Sequence, residues 1–149
     1  MAALLTVAAD RLTKIWIVRN FFLYQSQEVI EGFFRITYLL NRGAAFGILS
    51  EGNVSWVRPF LILISLFALF LIAYLAVITE ENQYISRISL GVILGGAIGN
   101  LFDRVIQGRV IDFLDFYLRG YHWPPFNIAD AAITVGVFVF IISQLVLNK

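Results

Sequence analysis

Residues 56–78 form an apolar run in which Arg58 and Pro59 are confined to the first turn. Crossing a bilayer core takes about 20 mostly apolar residues, and a helix satisfies its own backbone groups there. Two further runs meet the same requirement. Residues 85–106 are apolar until Asn100, Asp103 and Arg104, and residues 128–147 are apolar apart from Asp130, Thr134, Ser143 and Gln144. A fourth run, 2–18, is shorter and carries Asp10, Arg11 and Lys14. Asp10 and Lys14 are four apart, so they share a helix face and can pair. The expected fold is an all-α membrane protein: one domain over 1–149, with four transmembrane helices and both termini on one side. Composition agrees. The chain is 60% hydrophobic and 14% charged, against about 25% charged in a soluble domain, which leaves too few polar side chains to cover a soluble core. The apolar start runs into Asp10, Arg11 and Lys14 without a small-residue cleavage site, so it is read as a first span rather than a removable leader.

The connections between the runs differ in character. Residues 19–55 contain Phe33-Phe34-Arg35-Ile36-Thr37-Tyr38-Leu39-Leu40, β-branched and aromatic enough for a strand, followed by the turn signal Asn41-Arg42-Gly43. Residues 107–126 interleave aromatics with charge (Asp112, Asp115, Tyr117, Arg119, Tyr121, Trp123) and end in Pro124-Pro125. They are expected to lie at the membrane interface, where amphipathic aromatics settle. Residues 79–84 are short and acidic. Seven of the eleven basic residues (Arg19, Arg35, Arg42, Arg58, Arg104, Arg109, Arg119) fall on the side of the two long connections. Taken alone, that count places this side in the cytoplasm.

Several chemistries are excluded at the outset. Cysteine is absent, which removes disulfides, thiolate catalysis and zinc–sulfur sites. A single histidine, His122, leaves little room for imidazole-based metal sites or Ser–His catalysis. A net charge of +1 provides no basic field for nucleic acid. Acid–base work falls to ten carboxylates, two lysines and six tyrosines.

Ionisable groups in or beside a span are costly, and each is a functional hypothesis. Asn100, Asp103 and Arg104 end the third span, Asp130 begins the fourth, and Asp112 lies between them, so all meet at one membrane face. Gly91, Gly95 and Gly99 recur every four residues beside the stripe Gly96, Asn100, Arg104, a spacing that lets helix backbones approach closely. Packing alone would account for the glycines, and a snorkelling helix end for Asn100 and Arg104. Asn127 can cap the last helix, with Asp130 in its first turn where the dipole favours a carboxylate. Asp112, flanked by Ile111, Phe113 and Leu114, is a carboxylate in apolar company, whereas Asp115 reads as its solvated neighbour. Without thiol, imidazole pair or metal cluster, hydrolysis would need a water held between two carboxylates, one keeping its proton because both cannot ionise.

These residues, taken together, resemble a known family. The run from Gly95-Gly96 through Gly99-Asn100-Leu101-Phe102-Asp103-Arg104 comes first, then Val110-Ile111-Asp112-Phe113 and Phe126-Asn127-Ile128-Ala129-Asp130. With Asp10-Arg11-Leu12-Thr13-Lys14 and Asn41-Arg42-Gly43-Ala44-Ala45-Phe46-Gly47, they resemble the motifs of bacterial lipoprotein signal peptidase, or signal peptidase II. The resemblance implies an aspartic endopeptidase that removes the signal peptide from diacylglyceryl-modified prolipoproteins, cutting before the lipidated cysteine, with no metal or cofactor. It implies Asp112 and Asp130 as the catalytic pair. Asp10, Lys14, Asn41, Gly43, Gly96, Asn100, Arg104, Asn127 and Ala129 would support the site, with Arg104 and Asn41 orienting the substrate backbone. It also implies a location in the bacterial inner membrane among its lipids, both termini cytoplasmic, and binding of globomycin-type cyclic peptides. The long connections then lie outside, against the charge count; Arg42 and Arg104 belong to the matched motifs, and charge held in a folded site reports poorly on insertion. A different class, a small ion-coupled transporter, would use Asp10, Lys14, Asp103 and Arg104 as a buried relay. A metal-dependent phosphotransferase would need an Asp-Gly motif, and there is none.

Overall fold

The structure, a computed structural model, describes residues 1–43 and 56–147. Four helices, α1 (Ala2–Asn20), α2 (Val57–Ile78), α3 (Tyr84–Gln107) and α4 (Ile128–Leu147), accompany four strands, β1 (Ser26–Ile30), β2 (Phe34–Asn41), β3 (Val110–Leu118) and β4 (Tyr121–His122). Among the described residues, α2, α3 and α4 are long and apolar enough to cross a membrane. The chain is thus a mostly helical membrane protein with three candidate spans. The charges of α1 set it apart, because its buried face is Asp10, Lys14 and Ile17. Of the family-like motif from Asn41 to Gly47, Ala44, Ala45, Phe46 and Gly47 lie outside the described residues.

Helix α3 is the hub, packed against α1, α2 and α4. Its glycines make this possible. A Cβ at Gly95 would stand 2.6 Å from the Ala3 carbonyl oxygen, and one at Gly96 would stand 2.5 Å from that of Ala129. At Gly99 it would meet the Asp10 carboxylate at 2.6 Å. The stripe therefore brings α1 and α4 into backbone contact and also seats a charged group. The end of α3 is held from α2: Arg58 donates through Nε to the Arg104 carbonyl (3.1 Å) and through Nη2 to that of Val105 (2.8 Å). Gly108 follows in the left-handed conformation at φ 69°, a helix stop that favours glycine.

The sheet is antiparallel in the order β1-β2-β3-β4. The expected strand at 33–40 is present as β2, but the expected β structure is too small. The segment read only as interfacial, 107–126, supplies β3 and β4 and so half of the strands. The physical reason is pairing: β2 needs a partner for its backbone groups, and β3 provides one from Phe34↔Phe116 to Asn41↔Val110. Ile17 of α1 and Phe21, the residue just after that helix, pack with Ile111 and Phe113 of β3 in a buried cluster that fastens sheet to helix. Each such side chain contributes roughly 1.5–3 kcal/mol when fully buried. Between Ile36 and Leu39 the register slips by a bulge, directly beside Asp112, and bulges commonly re-aim a side chain near a site.

Candidate active site

Asp112 and Asp130 reach the site on different elements. Asp112 stands on β3, almost fully buried; Asp130 stands in the first turn of α4. Asn127 joins them. Its Nδ2 donates to Asp112 Oδ1 at 2.8 Å, its backbone N–H to Asp130 Oδ2 at 3.3 Å, and its Oδ1 accepts the Asp130 N–H at 3.0 Å. The helix cap expected at Asn127 is present, and the same side chain orders the carboxylate of the neighbouring strand. Asn41 Nδ2 donates to Asp112 Oδ2 (3.0 Å), while its Oδ1 accepts the Gly43 N–H (2.9 Å) and closes a tight turn. Asn41 therefore touches a carboxylate directly, rather than facing only a substrate.

Beneath the pair lies a buried charge cluster. Lys14 and Asp10 are fully buried and paired at 2.8 Å, and Lys14 also meets Asp103 at 2.7 Å. Arg11 completes it with Asp103 at 2.5 Å. Two cations against two carboxylates leave no net charge, the condition under which such a group tolerates a low-dielectric setting; losing one partner typically costs about 3–5 kcal/mol. The cluster is wired upward. Lys14 Nζ donates to Asn100 Oδ1 (3.3 Å), Asn127 Nδ2 donates to the same oxygen (3.3 Å), and Asn100 Nδ2 donates to Asp130 Oδ1 (2.7 Å). Asp10 Oδ1 accepts the backbone N–H of Ala129 at 3.2 Å. Asp103 and Arg11 belong to this network yet stand apart from the expected support set. The spacing of Asp103 from Asn100, three residues along a helix, was the available signal.

A cavity of about 670 Å³ opens on the pair. Asn41, Ser65, Asn100, Arg104, Asp112, Asp130 and Thr134 form its polar part; the apolar part includes Ile64 and Ala68 of α2, Ile133 and Val135 of α4, and residues 123–126. Arg104 lines this cavity, and among the described residues no ion pair joins it to Asp10 or Asp103. Its Nε is buried with no hydrogen-bond partner among the described residues. Gly96 and Ala129 contribute backbone proximity, and Gly43 is buried beside Asn41. One expectation fails. Asp115 is not solvated: it is buried, with Arg35 Nε at 2.6 Å and His122 Nδ1 at 2.9 Å. Its partners come from strands on either side of β3, a juxtaposition that local flanking residues do not reveal.

Electrostatically, Asp112 is perturbed. Burial, followed by the neighbouring charge of Asp130, raises its carboxyl to about 7, while hydrogen bonds from Asn41 and Asn127 pull the other way.

Comparison with known proteins follows the same outline. The family described as Signal peptidase (SPase) II matches residues 2–146. The chain belongs to the signal peptidase II family. The lipoprotein signal peptidase of Geobacter sulfurreducens is 47% identical over 94% of this chain and 86% of its own length. That of Francisella tularensis subsp. novicida is 46% identical over 99% and 91%. A bacterial membrane enzyme solved at 2.3 Å by the in meso method superposes with a TM-score of 0.87 at 34% identity, covering 99% of this chain and 87% of that one. The protein is thus a membrane peptidase of lipoprotein processing, as the motifs implied.

Proposed function

We propose that Asp112 and Asp130 are the catalytic pair of an aspartic signal peptidase II that cleaves diacylglyceryl-modified prolipoproteins immediately before the lipidated cysteine. The observation that carries this reading is the meeting of two carboxylates, tied through Asn127, on the wall of a cavity whose lining also includes apolar side chains of α2 and α4. One carboxylate takes a proton from water as its oxygen bonds to the scissile carbonyl carbon; the other gives a proton to the carbonyl oxygen. Collapse breaks the C–N bond, and the departing nitrogen takes a proton from the pair. Asp112, raised toward neutrality, suits the donor. Asp130, receiving hydrogen bonds from Asn100 and the Asn127 backbone, suits the base. Arg104, whose buried Nε has no hydrogen-bond partner among the described residues, suits a substrate carbonyl.

The remaining assignments follow from this one. Asp10, Lys14, Asn41, Gly43, Gly96, Asn100, Asn127 and Ala129 hold the pair in place, no metal or cofactor takes part, and globomycin-type cyclic peptides occupy the cavity. The chain forms one domain in the inner membrane with α1 as a fourth span, both termini cytoplasmic and the sheet outside, and its substrate enters from the surrounding lipid.

The test is paired substitution. Asp112→Asn and Asp130→Asn should each lower turnover by on the order of 10³-fold or more while the protein stays folded, because an amide neither accepts nor exchanges the proton. The double variant should be little worse than either single one. Asp130 also caps α4, so retained binding of a globomycin-type peptide by Asp130→Asn separates lost chemistry from lost fold. Near-normal cleavage by either single variant would overturn the assignment.

A further inference from the structure

The cavity has a wall whose support lies outside the expected site. Residues 123–126, Trp-Pro-Pro-Phe, line it. Pro124 and Pro125 lack backbone N–H groups, so this stretch cannot lace itself to a neighbouring strand. It is fastened at its two ends. Toward α4, Phe126 and Leu114 exchange backbone hydrogen bonds of 3.1 and 2.8 Å. Toward β4, Trp123 N–H donates to the Phe116 carbonyl at 2.8 Å, and β4 itself contributes only two residues to the sheet. That hairpin turns through Arg119 and Gly120, both at positive φ. So short a ladder is weak by itself.

The weak end has a side-chain clamp. Asp115, 1% exposed, accepts from Arg35 Nε on β2 with one oxygen and meets His122 Nδ1 on β4 with the other. The carboxylate therefore ties β4 across β3 to β2. The His122 ring also stacks on Tyr117, its cross-strand partner, at 4.9 Å.

We propose that Asp115, held between Arg35 and His122, is a positioning residue that fixes the 123–126 wall of the cavity and thereby governs substrate affinity rather than turnover. Affinity is singled out because the Phe126–Leu114 pairing lies between the clamp and Asn127, so loosening β4 leaves Asn127 on Asp112. The inference rests on the proposed function, since it takes the cavity to be the prolipoprotein site.

The experiment measures KM and kcat on a diacylglyceryl-modified prolipoprotein with the purified full chain in detergent. His122→Phe keeps a ring on Tyr117 and removes the donor; it should raise KM roughly tenfold, the size expected for one charge-assisted hydrogen bond, with kcat within about twofold. Asp115→Ala should move KM in the same direction. His122→Asn places an amide N–H near the position of Nδ1 and should restore KM. An unchanged KM in His122→Phe overturns the inference. So does a fall in kcat that the asparagine variant fails to repair, the mark of a merely structural role. If Asp115→Ala does not fold, the two His122 variants decide. Asp112→Asn, measured alongside, tests the underlying reading: full turnover there removes the catalytic assignment and this inference with it, whereas loss there with unchanged His122→Phe removes this inference alone.

Discussion

Asp112 stands between opposed influences, and this gives its ionisation a measurable consequence. Burial and the charge of Asp130 raise its carboxyl from 3.8 to about 7; the donors Asn41 and Asn127 favour the ionised form. If protonated Asp112 is the acid, turnover should fall as pH rises through about 7. Removing a donor to the carboxylate raises its pKa further, so Asn41→Ala should displace this alkaline limb to higher pH. A pH profile of kcat in both proteins checks the direction; a shift to lower pH would contradict it. Stability carries the same sign. A carboxyl raised in the folded state contributes most below its ordinary value, and that contribution is lost as pH climbs through about 7. Residue-scale legibility was uneven. Asp112 could be found because Ile111, Phe113 and Leu114 surround it in sequence. The burial of Asp115 is not visible in its flanking residues because its partners, Arg35 and His122, are 80 positions upstream and across a turn.

Among the elements, α3 is the most informative. Alanine has a better helix propensity than glycine by about 1 kcal/mol, so propensity alone would make Gly95→Ala and Gly96→Ala stabilising. The backbone of α1 or α4 stands where their Cβ atoms would go. Each substitution should therefore destabilise, by roughly 1–3 kcal/mol as overpacking generally does. Gly91→Ala, whose Cβ would meet the Ala2 Cβ at 3.1 Å at the very start of α1, should be milder. Unfolding in detergent ranks the three, and equal tolerance would show that the close approach carries no energy. The four-residue glycine repeat announced this contact in the sequence, although not that Gly99 seats a carboxylate. The second connection was less legible. Its aromatics and charges read as an interface segment because β3 has an identity only against β2, whose register with it includes a bulge.

The whole molecule is a helical hub with a sheet at one end, and the carboxylate pair lies where they join. Hydropathy made α2, α3 and α4 legible, because an apolar run of bilayer length has few alternatives. Orientation was not legible, since basic residues such as Arg35 and Arg58 serve the fold through Asp115 and the end of α3. The chain has no cysteine, so single cysteines report topology against a clean background. Tyr121→Cys should label from outside and Tyr84→Cys only after the inner face is exposed; the reverse pattern would vindicate the charge count. The cavity is lined laterally by α2 and α4, and under the proposed function a lipid-borne peptide is cut there by carboxylates alone. Buried methylenes are worth about 0.8 kcal/mol each, so the acyl chains of the substrate should dominate its capture. The direct measurement is cleavage by purified protein, with a chelator present, of a diacylglyceryl-modified prolipoprotein and of its unmodified precursor. The account predicts chelator-resistant cleavage of the lipidated form, with a product beginning at the lipidated cysteine, and little or none of the precursor; equal cleavage of both forms, or activity abolished by the chelator, would contradict it.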